Sequence, residues 1–128
     1  MVENNPQIKE LRAYAAETKD SLIIDELTPH PGDLIIDKQR YDSFIGTDLE
    51  CQLRDRHIQQ LIVCGLVTNV CVESTVRGAY ERNFLVIIAK DATASYSNDL
   101  YRSSLETMSR HFAKLYSVDD LIKRYLLG

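Results

Sequence analysis

The 128-residue sequence has no tryptophan and only three cysteines, three prolines and five glycines. So little proline and glycine excludes a collagen-like or low-complexity chain, and a 45% hydrophobic content excludes a wholly disordered one. The cysteines are odd in number and none is in a Cys-x-x-Cys spacing, which argues against both a disulfide framework and a zinc site. A basic surplus is also lacking. Fifteen Lys and Arg against nineteen Asp and Glu leave a net charge of −4, the wrong sign for a nucleic-acid-binding face. No apolar run approaches the roughly 18 residues that a membrane span needs, and no signal-peptide pattern is present, so no membrane partner is expected and the expected compartment is the cytoplasm. A glycine-rich phosphate loop is missing as well, since Gly65 stands alone after its apolar run. What is left is one domain's worth of ordinary globular sequence, able to bury roughly two thirds of its unfolded surface around one core.

The apolar pattern is that of an α/β protein. Met1 to Asp20 is polar with a weak helical stripe of Ile8, Leu11, Tyr14 and Ala15, and Pro6 suits a first helical turn. Leu22-Ile23-Ile24 is a short apolar run, Thr28 to Asp33 is a turn, and Leu34-Ile35-Ile36 reads as a short buried strand. Leu49, Leu53 and His57 then share a helical face, with Thr47 or Asp48 as cap. Leu61 to Cys64 is a continuous apolar run stopped by Gly65, the pattern of a strand buried on both faces. After Thr68-Asn69 a helix is predicted to about Arg82, with Val72, Thr75, Val76 and Ala79 facing in. Phe84 to Ala89 is a second buried strand stopped by Lys90-Asp91. Leu100 to Phe112 is a helix, Leu115-Tyr116 a short last strand, and Val118 to Leu127 a terminal helix capped by Ser117. Strands alternating with helices over short loops imply right-handed units, hence a Rossmann-like parallel sheet with helices on both faces. No internal repeat or linker interrupts them. Ligands of such sheets lie beyond the carboxyl ends of the strands, here Asp37-Lys38, Gly65 to Cys71 and Lys90 to Ala94.

Cys71 is the most informative residue among these. It falls in the first turn of a helix that follows a buried strand, where unpaired N–H groups and the helix dipole favour an anion. A thiolate there could attack a carbonyl, and the same N–H groups could hold the oxyanion that develops. Position alone leaves a second reading open, a small buried hydrophobe, which is the usual fate of a free cysteine. Cys64, inside its strand, is expected in the core, and Cys51 is expected to be structural. Lys38 either promotes ionisation of the thiol or is a solvated loop lysine. Asp91 is expected to cap the turn after its strand. His30, His57 and His111 fall in a turn and at two helix ends and form no constellation.

The wording around these positions is more specific than their spacing. Gly65-Leu66-Val67-Thr68-Asn69-Val70-Cys71-Val72-Glu73-Ser74-Thr75, followed by Arg77, Ala79 and Asp91-Ala92, resembles the nucleophile segment of the isochorismatase-like cysteine hydrolases. Pro29 to Asp33, Lys38 to Phe44 and Gly46 to Leu49 resemble the lysine segment of the same superfamily. The resemblance runs in register over roughly residues 21 to 122, and the Thr-Asn-Val-Cys-Val-Glu-Ser-Thr wording is most similar to the ureidoacrylate amidohydrolase branch. It implies a triad of Asp, Lys and Cys, with Cys71 matching the nucleophile and Lys38 the lysine. It also implies a cis peptide at Leu66–Val67 that turns the Val67 N–H toward the Cys71 N–H to make an oxyanion hole. Phe44 and Tyr41 match substrate-pocket positions. A small-molecule amide substrate is implied, and no cofactor or metal.

One member of that triad has no match. Only 37 residues precede Lys38, and no apolar strand ending in the family's aspartate motif occurs among them. Asp25 and Asp37 align with other positions. The whole chain, residues 1–128, therefore reads as a single isochorismatase-like domain comprising the carboxy-terminal two thirds of the family domain. Two functions follow: a cysteine-dependent hydrolase of a small amide or ureido C–N bond, or an inactive truncated homologue that acts as a binding or oligomerisation partner. The gap left by two family strands predicts association, either as a homo-oligomer or with an intact homologue. An isochorismatase proper is disfavoured by the cysteine, which that branch does not use.

Overall fold

The computed structural model describes residues 19–128, so the helical stripe read at Ile8, Leu11, Tyr14 and Ala15 lies outside the described residues. The chain divides after Asp37 into two compact units. Of the first unit, residues 19–37 form two single 3-10 turns, Lys19–Ser21 and Asp25–Leu27, and a turn closed by the Asp33 N–H donating to the His30 carbonyl at 3.0 Å. The Leu34-Ile35-Ile36 strand does not form; Leu34 and Ile35 are exposed. A strand exists only as part of a ladder, and among the described residues none pairs with this segment.

The second unit, Lys38–Gly128, holds the sheet. Its elements are helix α1 (Leu49–Asp55), strand β1 (Gln60–Leu66), a wide turn (Thr68–Val72), helix α2 (Glu73–Glu81), strand β2 (Leu85–Ala94), helix α3 (Asn98–His111), strand β3 (Lys114–Tyr116) and helix α4 (Val118–Tyr125). The starts of α3 and α4 are set by serine caps. Ser97 Oγ accepts from the Leu100 N–H at 3.2 Å, and Ser117 Oγ accepts from the Asp120 N–H at 3.1 Å. At α1 the Thr47 hydroxyl, not Asp48, accepts from the Leu49 N–H, at 3.3 Å.

The three strands are parallel in the order β1-β2-β3, the expected α/β Rossmann-like arrangement. Alternate residues of a strand face opposite sides, and β2 is buried on both. Val86 and Ile88 pack with Val72, Val76 and Ala79 of the α2 region and with Leu105 and Met108 of α3. Ile87 and Ala89 pack with Leu121 of α4. β1 is different. Leu61 and Val63 rest on the larger core, whereas Ile62, Cys64 and Leu66 on the other face are exposed. The prediction of a strand buried on both faces, with Cys64 in the core, is therefore corrected. Leu121 of α4 reaches Ile87 and Ala89 of the central strand, and the same face of β1 is left uncovered. Among the described residues β1 also has a partner strand on one side only. No helix of the described residues is long and apolar enough to cross a membrane.

β2 continues beyond the predicted stop at Lys90-Asp91. Its register with β1 shifts between Val63 and Gly65, after which Gly65 pairs with Thr93 and Leu66 with Ala94. Asp91 does not cap the local turn; its Oδ1 accepts from the Val118 N–H at 2.8 Å and so fixes the start of α4.

The two faces of the sheet make a direct stability test. Ile88→Ala, at a site with 0% exposure, should cost about 2–5 kcal/mol in urea unfolding. Ile62→Ala, at 48% exposure, should cost less than about 1 kcal/mol, because little transfer from water is lost. Equal losses would show that the outer face of β1 is covered.

Candidate active site

The carboxyl end of β1 bends sharply. Gly65 takes φ +113°, a conformation that side-chain-bearing residues rarely adopt, and the Leu66–Val67 peptide is cis. The Thr68–Val72 turn follows. Its ring is wider than α-helical: the Val72 N–H donates five residues back to the Val67 carbonyl at 3.2 Å, and the Val70 N–H reaches the same oxygen at 3.1 Å. Such π-turns concentrate at functional sites. Cys71 sits in this turn, half-buried and with a free thiol, and α2 begins two residues later.

Every charged or amide side chain of this segment is tied down. The Thr68 hydroxyl, fully buried, lies 2.7 Å from the hydroxyl of Thr93 on β2. Asn69 Oδ1 accepts from the Ser95 hydroxyl. Glu73 Oε2 accepts from Ser104 Oγ of α3 at 2.5 Å, and its Oε1 accepts from Arg77 at 2.7 Å. Thr93, Ser95 and Ser104 were not singled out in the sequence. The spacing of Thr93 and Ser95 by two, on one face of an extended chain, is the signal that could have marked them.

The lysine segment docks on the same helix. Tyr41, exposed, presents its carbonyl to Thr75 Oγ1 at 3.3 Å, and the Ser43 N–H donates to that hydroxyl at 3.1 Å. Thr75 lies one helical turn beyond Cys71. A Cβ at Gly78 would collide with the Asp42 carboxylate, so the glycine permits this close approach. Lys38 is exposed and precedes this docked stretch; it does not end a strand. Its Nζ donates to the Arg40 carbonyl at 2.7 Å and the Tyr41 carbonyl at 3.3 Å. No hydrogen bond joins Lys38 to Cys71; the link runs through Tyr41 and Thr75.

Phe44 requires a correction. It is 5% exposed and belongs to the core, stacking on Phe84 with ring centroids 5.9 Å apart and lying under the Arg82 guanidinium. Phe84 immediately precedes β2, so this contact lies at the amino-terminal end of the sheet, whereas Cys71 follows the carboxyl end of β1. Phe44 therefore does not wall a pocket at the thiol. Two surface clefts, of about 460 and 350 Å³, lie along α4 and below the start of β2, and Cys71 lines neither. Among the described residues no group of three or more His, Cys, Asp or Glu side chains could hold a metal ion. Cys64 is exposed on the outer face of β1. Cys51 is exposed on α1, and the Asp55 carboxylate, 3.6 Å from its Sγ, pushes the thiol up from its ordinary value by charge repulsion and by accepting a hydrogen bond from the neutral S–H.

The sheet is parallel and of α/β type, and a half-buried free thiol sits on the turn that follows β1. Residues 4–120 match the model of the isochorismatase domain, and the chain belongs to that family. Over 88 residues it is 46% identical to the ureidoacrylate amidohydrolase RutB of Methylorubrum extorquens, covering 69% of this chain and 35% of that protein. Among solved structures it is similar to a cysteine hydrolase from Pseudomonas syringae pv. phaseolicola, at 33% identity and a TM-score of 0.87, over 95% of this chain and 62% of the other. It is also similar to N-carbamoylsarcosine amidase from Thermoplasma acidophilum, at 29% identity and a TM-score of 0.79, over 91% and 66%. The chain thus spans about a third of the length of that curated amidohydrolase.

The Asp55 contact has a measurable consequence. Removing the charge by Asp55→Asn should favour the Cys51 thiolate, so iodoacetamide should label Cys51 faster near neutral pH. An unchanged Cys51 rate, mapped by mass spectrometry, would show that the carboxylate does not act on it.

Proposed function

We propose that this chain carries the nucleophile of a hydrolase acting on a small amide or ureido C–N bond. The observation that supports the reading best is the place of Cys71: a half-buried thiol on an anchored turn at the carboxyl end of a parallel strand, in a chain of this family. Substrates of such sheets gather at that end. In the proposed reaction the Cys71 thiolate attacks the substrate carbonyl, the new C–S bond forms, and the C=O π pair moves to oxygen. The Val67 and Cys71 N–H groups hold that oxyanion. Collapse expels the amine, which takes up a proton, and water then releases the acid and restores the thiol. Lys38, its Nζ held by the Arg40 and Tyr41 carbonyls, takes the place of the family's lysine in this reading. Tyr41, exposed beside that lysine, borders the substrate.

The resemblance assigns the proton transfers to an aspartate that no position of this sequence matches. A general acid–base group contributes about 10²–10⁴-fold, so the chain by itself should turn over ureides and N-carbamoyl amino acids slowly. An activated aryl ester removes that requirement, because its leaving group departs as an anion. Mixed with such an acetyl ester, the protein should gain one acetyl group on Cys71, and Cys71→Ser should gain none. Acetylation first at Cys51 or Cys64 would overturn the nucleophile assignment.

The edge of β1 that has no partner strand among the described residues supports self-association as part of the same reading. Light scattering at micromolar concentration should give a mass above that of one chain. A monodisperse monomer with a cooperative melt would contradict it.

A further inference from the structure

We propose that Thr93 and Ser104 are positioning residues for the Cys71 thiol, acting through Thr68 and Glu73; this rests on the nucleophile reading above. The Cys71 turn is short, and a five-residue backbone ring fixes it less firmly than a regular helix would. The remaining constraint comes from outside it, on both sides of the thiol in sequence. Before Cys71, the Thr68 and Thr93 hydroxyls pair at 2.7 Å with exposures of 0% and 8%. A pair so far from water has no substitute partner when one member is removed. After Cys71, Ser104 gives its single proton to the Glu73 carboxylate at 2.5 Å, a charge-assisted bond, while its oxygen lies 3.4 Å from the Thr68 carbonyl. Ser104 is itself 4% exposed. The Glu73–Ser104 bond therefore ties the chain after the turn to α3, and the Thr68–Thr93 pair ties its start to β2.

None of these groups touches the thiol. Their effect is to hold the backbone that carries it, and with it the distance from Sγ to the Val67 and Cys71 N–H groups. Thr93 can do this only because the β1–β2 register shifts after Val63, bringing Thr93 opposite Gly65. The register shift is thus the structural reason that a residue of β2 reaches the start of the thiol turn.

The test uses the rate of Cys71 acetylation by the activated aryl acetate across pH 6 to 9, a reaction that develops an oxyanion, with Cys64 as the internal reference and sites mapped by mass spectrometry. Thr93→Val keeps the shape and removes the hydroxyl. It should lower the Cys71 rate about tenfold at its plateau, the scale expected when a reacting atom shifts by a fraction of an ångström. The Cys64 rate should stay the same, and Thr93→Ser should restore Cys71. Ser104→Ala should act in the same direction, and carries the test if Thr93→Val loses its cooperative melt. A fast Cys71 left within twofold by both variants overturns the positioning role alone. Equal labelling of Cys71 and Cys64 in the unsubstituted chain overturns the nucleophile reading, and the positioning role with it.

Discussion

Strand β2 has to satisfy two apolar faces at once, and the rest of the fold is arranged around that demand. Val86 and Ile88 need cover on one side, Ile87 and Ala89 on the other. α2 and α3 supply the first and Leu121 of α4 the second. The connections follow from it. Asp91, on the strand itself, holds the first N–H of α4, so the helix that covers the second face is indexed to the strand it covers. β1, flanking β2, receives cover on only one face, which leaves Ile62, Cys64 and Leu66 in water.

The same strand also organises the thiol. Past the register shift it ceases to be apolar and presents Thr93 and then Ser95 to the turn that leaves β1. β2 therefore does two jobs along its length: its first half forms the core, and its second half anchors a polar turn. The Thr93 hydroxyl and that of Ser95, just past the strand, restrain the turn through side-chain bonds that leave its backbone N–H groups unoccupied by them.

Much of this was legible in the residues. The apolar run ending at Gly65, the helix after Asn69, the run from Phe84 and the serine before Val118 all mark elements that formed, because burial periodicity and capping are local signals. The failures share a cause. Leu34-Ile35-Ile36 and Leu61 to Cys64 have the composition of buried strands, but whether a strand pairs, or is covered on one face or two, depends on neighbours that its own residues do not encode. The Lys90-Asp91 stop failed because a shifted register can carry two charged residues through a ladder. Phe44 was placed by family resemblance in the pocket, yet its ring stacks on Phe84 in the core. In the candidate site, Cys71 is singled out by the family wording around it; Thr93 and Ser104 have no such mark, since their partners Thr68 and Glu73 lie 25 and 31 residues away.

The central claim is that the turn after β1 presents a nucleophile and the donors for its oxyanion together. A crystal structure of the protein acylated by an activated ester tests it most directly. The acyl group should be on Cys71 Sγ, with its carbonyl oxygen within about 3.1 Å of the Val67 and Cys71 nitrogens. An acyl oxygen turned to solvent, or an acyl group on another cysteine, would contradict the account.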